Sequence, residues 1–518
     1  MSISRRDFIK YSSLSAFGLA LTTQRVFSIG DEVPIGEDND RILVLVQLQG
    51  GNDGLASIFD MNQYSNLYQV RENVIIPEDK IISFSGDYKF HPALFPFKSM
   101  WDNEEMGIIQ NVGYPNQNRS HFRSSDIWHS ASNAEDYIST GWLGRMYDLD
   151  FQDYPQGFPN NEYPHPFAIT MGNIISETCQ GETANYSMAV MDPFNPGSIL
   201  TGTEGDIPDN CYGDQLTFLN ETAKQTNAYA EVISEAANKG NNLSGKYDEY
   251  GNSELGEKFK HVARLISGGL QTKIYIVQLG GFDTHDNQVV TGATDTGRHS
   301  DLLKELSEAI DAFQDDINLL GLKKRVFGMT YSEFGRRIRS NGGLGTDHGT
   351  AAPMFLFGGC VKNAILGDSP EIDPEVGIQE GVPMQYDFRD VYGTVFQQWL
   401  GIEESTVKDL IYKDYTLLPI FDESCINATS VEMNVDLGGI KLYPSPASNF
   451  VQVDFNGMGR MNITIFDSMG GTVRVLADTH YSGGRHSIRT NIETLRSGSY
   501  FIHFKAQGLS KTVKFVKI

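Results

Sequence analysis

"KIYIVQLGGFDTHD" (273–286), "HSDLLKELSEAIDAFQDDINLLG" (299–321) and "RVFGMTYSEFG" (325–335) follow one another closely, and together they decide the fold. The first and third open as near-continuous runs of Val, Ile, Leu, Phe and Tyr, as strands do when both faces of their sheet are covered. Between them Leu302, Leu303, Leu306, Ile310, Phe313, Ile317 and Leu320 recur at spacings of three and four, which predicts an amphipathic helix from His299 to Gly321. Strand, helix, strand is a βαβ unit, so an α/β fold with a mostly parallel sheet is expected.

Working outward, "RILVLVQL" (41–48), "MGIIQNV" (106–112) and "MFLFG" (354–358) predict further buried strands. The region 150–260 begins rich in Asn, Pro and Gly and then predicts helices at 214–238 and 255–267; it reads as an insertion, a lid or a substrate wall. After residue 440 the pattern changes to period-two alternation, as in "NFVQVDF", "MNITIFD" and "SYFIHFK", broken by turns such as "SMGG" and "YSGG". That predicts a small antiparallel β-sandwich.

Charge supports a boundary near the same place. The chain of 518 residues carries a formal net charge of −25. Gly438 to Ile518 hold ten Lys/Arg against four Asp/Glu, a net of +6 that leaves −31 for the first 437 residues. So acidic a main body excludes nucleic acid as a partner, because it repels a polyanion.

The first residues, "MSISRRDFIKYSSLSAFGLALTT", place basic residues before an apolar run too short for a membrane span of ~20 residues. A cleavable export signal over 1–30 is expected, leaving no transmembrane segment in the mature protein. Ser4-Arg5-Arg6-Asp7-Phe8-Ile9-Lys10 resembles the twin-arginine motif, with an ordinary Sec signal as the alternative. Export permits disulfides. Cys179 and Cys211 lie in polar, loop-like sequence and could pair; Cys360 follows "MFLFGG" and reads as a buried thiol, and Cys425 lies in a linker.

Polar residues collect after the strands. "LVLVQL" leads into Asn52 and Asp53, "KIYIVQL" into Asp283, His285 and Asp286, and "RVFGMTY" into Ser332, Glu333, Arg336 and Arg337. Ligands of open α/β sheets bind outside the carboxyl ends of the strands, so these ends point to one crevice. Acids at strand ends also cap helices, but three in parallel positions favour a shared site. Three carboxylates ~4 Å apart would repel by about 4 kcal/mol per pair at an effective dielectric of 20, which calls for a cation between them. Asp, His and Glu suit Zn, Mn, Mg or Ca in different proportions, while Arg336 and Arg337 are rival neutralisers or grips for an oxyanion. A second cluster, "GYPNQNRSHFRSSDIWHSA" (113–131), offers Ser120 at a helix N-terminus as a nucleophile or a simple cap, with His121 and Arg123 beside it. Asn52, His121 and Arg123 are the candidate substrate-binding residues.

Two resemblances join these readings. "LYPSPASNFVQV", "ITIFDSMGGTVRV" and "LRSGSYFIHFKAQGLSKTVKFVKI" resemble the C-terminal sorting domain of the type IX secretion system. This implies a member of the Bacteroidota, the export machinery as partner, and an extracellular or outer-surface location reached through the periplasm. "LVLVQLQGGNDGL", "HPAL", "VGYPNQNRSHFRSSDIW", "GWLGR", "VQLGGFDTHDNQ" and "MTYSEFGRRIRSNGGLGTDHGTAAPMFLFGG" resemble the bacterial domain of unknown function 1501 family from about Arg41 to Tyr412. That family is placed with the alkaline phosphatase and sulfatase superfamily. The resemblance implies an alkaline-phosphatase-like α/β domain, one or two metals at strand ends, and phosphate or sulfate ester hydrolysis through a Ser, Thr or Cys nucleophile.

Carried over residue by residue, the resemblance makes Asp53 the first-strand Asp and Asp283 with His285 the Asp…His pair. Ser120 is the nearest counterpart of the nucleophile. Glu333 stands for the metal-binding Asp, and Phe334 stands where a His would adjoin it. "GTDHG" (345–349) follows "RRIRSNGG", read as loop, so His348 becomes the last ligand and Asp347 its neighbour or orienter. With Phe334 at that position the set fits a single metal, or none, rather than two zincs. The organisation expected is a signal at 1–30, an α/β domain at 40–420, a linker at 421–439 and the sorting domain at 440–518. The function expected is an exported metal-dependent hydrolase of small phosphate or sulfate esters or of sulfated or phosphorylated glycans, with Arg336 or Arg337 offsetting charge in the transition state. The alternative is a non-catalytic binding protein on a degenerate fold.

Overall fold

The computed structural model of the chain describes residues 40–197, 226–251, 253–426, 440–467, 471–506 and 509–518. The expected export signal, Cys211 and most of the expected linker lie outside the described residues.

The strands that build the site are β1 (Ile42–Gln49), β2 (Met106–Gly113), β3 (Ala168–Met171), β4 (Ser187–Val190), β5 (Ile274–Gly280) and β6 (Val326–Tyr331). They are followed by β7 (Arg336–Ser340), β8 (Thr346–His348), β9 (Ala352–Phe357), β10 (Ile365–Leu366) and β11 (Tyr386–Asp387). All but β7 and β8 form one sheet in the order β10-β2-β9-β6-β1-β5-β3-β4, with β11 also on β2. β1 is central and parallel to both neighbours, pairing Leu45 with Ile276 of β5 and with Met329 of β6. Only β9 runs against the rest, antiparallel to β2 and β6. The α/β class and mostly parallel sheet are as expected.

Alternation along β1 builds two cores. Ile42, Val44, Val46 and Leu48 face a cluster with α3 (226–239), α4 (Glu254–Ser267) and the long helix α5 (Arg298–Leu319), through residues such as Ile233, Phe259, Leu306 and Phe313. Leu43 and Leu45 face Trp128, Trp142, Tyr392 and Trp399 on the other side. Helices on both faces of a parallel sheet explain why its strands read as unbroken apolar runs.

Within the region 150–260, β3 and β4 extend the sheet, while α3 and α4 fill one core. Two readings are corrected. "RRIRS" is not loop but β7, which pairs with β8 in a two-stranded antiparallel ribbon that sets Arg336 opposite His348. Its turn is held by Asn341, whose Oδ1 accepts from Gly343 N at 2.8 Å. Cys360 is no free thiol but is bonded to Cys425, while Cys179 is a buried free cysteine.

The C-terminal strands Lys441–Tyr443, Phe450–Phe466, Thr472–Asn491, Gly498–Ala506 and Leu509–Lys517 form one antiparallel five-stranded sheet. The strand Phe450–Phe466 pairs with Thr472–Asn491 along its length and with Gly498–Ala506 over its second half. Its inward residues Val451, Val453, Ile463 and Ile465 join Ile502, Phe504 and Phe515 in a separate core.

The disulfide closes a sequence separation of 65 residues. Reduction, or Cys360→Ser, is expected to lower the unfolding free energy by roughly 4 kcal/mol on the loop-entropy account. Guanidinium unfolding with and without reductant measures it; a change below about 1 kcal/mol would contradict that account.

Candidate metal centre

The loop leaving β1 must turn sharply to bring its residues over the sheet edge. Gly50 and Gly51 have φ of +119° and +85°, and a Cβ on Gly50 would lie 2.2 Å from the Asp283 backbone nitrogen. A Cβ on Gly51 would lie 2.5 Å from the Phe334 ring. Both positions therefore require glycine.

Arg336 locks the strand-end loops together. It is 1% exposed, and its Nε donates to the Gly51 carbonyl at 2.8 Å. Nη1 donates to the Thr346 carbonyl at 2.8 Å, and Nη2 to the carbonyls of Gly50 and Phe282 and to Asp283 Oδ1, the last at 2.8 Å. With its donors committed to these carbonyls and to Asp283, Arg336 is a framework residue that neutralises an acid, one of the two roles expected of it, and not a free oxyanion grip.

Around that frame three histidines and one carboxylate converge. Asp283 Oδ1 lies 3.1 Å from His348 Nε2 and 3.2 Å from His285 Nε2, and Oδ2 lies 3.5 Å from His121 Nε2. His285 Nε2 and His348 Nε2 are 2.9 Å apart. His121, Asp283 and His348 each present a ligand atom within 4.8 Å of the other two. His121, expected to bind substrate, thus stands in the candidate ligand set.

The far side of each ring decides its tautomer. His348 Nδ1 meets the Arg119 carbonyl at 2.8 Å, and a carbonyl can only accept. His121 Nδ1 meets Glu333 Oε1 at 2.7 Å and His285 Nδ1 meets Asp347 Oδ1 at 2.9 Å. In the neutral rings all three Nδ1 atoms hold the proton, so all three Nε2 atoms turn bare lone pairs toward Asp283. Four acceptors facing one another without a hydrogen are repulsive unless a cation lies between them. This is also how histidine ligands are oriented at metal sites, by a carboxylate or carbonyl behind the ring.

Burial opposes ionisation of Asp283, but the hydrogen bond and charge of Arg336, with the neighbouring imidazoles, outweigh it and hold its carboxyl at about 2. The hydrogen bond to Glu333 raises His121, whereas burial lowers His348.

Other expected site residues lie elsewhere. Asp53, the expected first-strand ligand, is 1% exposed and sealed: Arg71 Nη1, at the end of α1 (Tyr64–Arg71), reaches its oxygens at 2.9 and 2.8 Å. Gln288 Nε2 donates to it at 2.7 Å. Asn52 is fully buried against Ser332 and His299, and burial holds the His299 imidazole down at about 4. Arg123 turns away from the cluster to the carbonyls of Asn133, Ala134 and Asp136, so it is not placed to bind substrate. Glu333 and Asp347 stand behind histidines rather than among the converging atoms, and Arg337 Nη1 pairs with Asp347 Oδ2 at 3.0 Å. Ser120 is exposed at the N-cap of α2 (His121–Ser130) and makes no capping hydrogen bond. Arg71, Gln288 and Asn341 went unread because each lies on a helix end or turn with no local mark of its long-range partner.

The fold and cluster define an α/β protein with a candidate metal-ligand set at the carboxyl ends of its strands, followed by an antiparallel β domain. Residues 220–408 match the family described as "Protein of unknown function (DUF1501)", and residues 441–518 match the "Secretion system C-terminal sorting domain". The chain thus carries a DUF1501 segment and a sorting domain that directs export to the cell surface or beyond. No curated protein matches it. Among solved structures it is similar to a Bacteroides thetaiotaomicron protein of glycosaminoglycan metabolism, at 8% identity over 92% of this chain and 89% of that one, with TM-score 0.35. It is also similar to an alkaline phosphatase superfamily protein from Vibrio parahaemolyticus, at 8% identity over 99% of this chain and 91% of that one, with TM-score 0.32. A third match, PorZ of Porphyromonas gingivalis, is 19% identical over 17% of this chain and 12% of that one, with TM-score 0.13. No described helix is long and apolar enough to cross a membrane.

Replacing Arg336 by Met removes the cation and the donors that five acceptors share, and is expected to cost about 3 kcal/mol or more. Urea unfolding of the two proteins checks this; a loss under about 1 kcal/mol would show that the loops hold their places without it.

Proposed function

We propose that this exported protein is a metal-dependent hydrolase of phosphate or sulfate esters. The observation that carries the reading is the convergence of three imidazole Nε2 atoms on Asp283. Imidazole nitrogen with one carboxylate suits zinc or manganese better than calcium or magnesium, which favour all-oxygen sets. Bound there, the metal would supply Lewis-acid polarisation of the ester oxygen.

The chain's own residues supply the rest. Ser120, exposed beside His121, is the candidate nucleophile, and the residues on both sides of it are tied to the cluster: the Arg119 carbonyl accepts from His348 Nδ1, and the His121 ring bonds to Glu333. Its hydroxyl sits at the positive end of α2, which favours negative charge developing on it. The Ser120 oxygen would bond to phosphorus or sulfur and give up its proton, the ester oxygen would leave and take one, and water would then hydrolyse the seryl ester. Arg337, partly exposed beside Asp347, is the cation placed to offset charge on the transferred group. A cleft of about 1020 Å³, lined by Gln49, Asn173, Gln278 and Gly280, opens at the ends of β1, β3 and β5, and none of the candidate ligands lines it. The sealing of Asp53 favours the second reading, a binding protein without turnover.

Metal analysis of the purified chain with p-nitrophenyl phosphate and sulfate assays decides between them. Zinc or manganese is expected in the wild type, with activity lost by at least about 100-fold in Asp283→Ala, His348→Ala and Ser120→Ala. Absence of turnover, with or without metal, would select the binding reading; absence of both metal and turnover would remove the hydrolase.

A further inference from the structure

Asp53 ends the central strand, yet its carboxylate is already matched by a cation of the chain itself. Arg71 Nη1 lies 2.9 and 2.8 Å from its two oxygens, and side-chain exposures of 2% and 1% leave the pair out of solvent. Arg71 is fixed from behind as well: Nε donates to the Ile338 carbonyl at 2.7 Å and Nη2 to that of Arg337. Gln288 occupies Asp53 Oδ2 at 2.7 Å. A guanidinium anchored by this many partners is not displaced by a metal ion without dismantling the contact between α1 and β7.

The remaining acids nearby are committed too. Glu333 Oε1 takes the N–H of Gly50 at 2.8 Å and that of His121 at 2.7 Å. Asp347 takes His285, Asn341 and Arg337. Phe334, 1% exposed, packs its ring 4.9 Å from that of His121 and 4.6 Å from that of His348, so a hydrocarbon fills the place beside both imidazoles. Asp283, whose Oδ1 also takes Arg336, is the carboxylate on which the three Nε2 atoms converge, its Oδ2 meeting only His121 at 3.5 Å.

We infer that the protein holds a single divalent metal ion, at His121, Asp283 and His348, and that the Arg71 guanidinium stands at Asp53 as a built-in substitute for a second. The inference rests on the metal reading proposed above and adds the stoichiometry and the role of Arg71, a positioning residue that neutralises Asp53 whatever the metal supply. It makes Asp53 a framework group and confines Lewis-acid chemistry to one ion.

Native mass spectrometry of the full chain, titrated with Zn²⁺ and separately with Mn²⁺, tests it without any activity assay. One ion is expected on the wild type, one on Asp53→Asn at a Kd within about threefold, and binding on the order of 100-fold weaker for Asp283→Ala. Two ions on the wild type, falling to one in Asp53→Asn, would overturn the inference and leave the metal reading standing. No ion on the wild type would overturn both. If Asp53→Asn does not fold, with Arg71 left buried and unpaired, the wild-type count decides alone.

Discussion

One buried guanidinium holds the functional end of this molecule in register. Arg336 reaches the loop after β1 through Gly50 and Gly51, the loop after β5 through Phe282 and Asp283, and the β7–β8 ribbon through Thr346. These segments are far apart in sequence, and their tips are joined by single backbone bonds, Phe282 N–H to the Gln49 carbonyl and Thr346 N–H to that of Thr284, both at 3.1 Å. Carbonyl oxygens brought this close need donors, and a planar cation with five N–H groups supplies them in fixed directions. Its charge then selects the ionised form of Asp283, which would be costly to bury alone. The framework thus prepares the one carboxylate that faces the histidines.

Two acid–cation arrangements lie near each other and differ in kind. Asp53 with Arg71 is sealed, bidentate and complete, as a buried ion pair must be to offset its desolvation. Asp283 is half exposed, at 45% of its side chain, and its second oxygen finds only an imidazole at 3.5 Å. The sealed pair serves the fold, and the open one retains capacity for a ligand. Residue type alone cannot separate these roles, since both are strand-end aspartates after a Gly-Gly turn.

This difference sets how far the sequence could be read. Buried strands and the helix α5 were legible because periodicity reports burial, a local property repeated along each element. The sorting domain was legible from alternation and from the change in charge. Asp347 and His348, within β8, were offered by the family resemblance, whereas Asp283, His285 and Glu333 were legible as a group because they follow strands whose ends share one edge. The β7–β8 ribbon was not, since "RRIRS" offers a strand only Ile338 as an apolar anchor and its partner is three residues long. Nor was the Cys360–Cys425 bond, because pairing depends on where residues 418–426 return to β9, and nothing near Cys425 states that. Arg71 was invisible for the same reason: its partner Asp53 is close in sequence, but only the fold turns α1 to face it.

The carboxylates that stand behind the histidines explain why acids cluster here in greater number than ligands are needed. Without Glu333 and Asp347, His121 and His285 could place their protons on Nε2 and relieve the crowding by hydrogen bonding to Asp283. With them, that tautomer would leave a carboxylate facing a bare nitrogen, a buried one for Glu333 at 4% side-chain exposure. Each acid therefore moves the repulsion inward, onto the point where the Nε2 atoms and Asp283 meet. The arrangement is stable only when that point holds positive charge, either extra protons or an ion, so the second layer of acids does not merely aim the ligands but makes the centre attractive to a cation. "GTDHG" takes its meaning from this: His348 presents a lone pair, and Asp347 ensures that its neighbour His285 does the same.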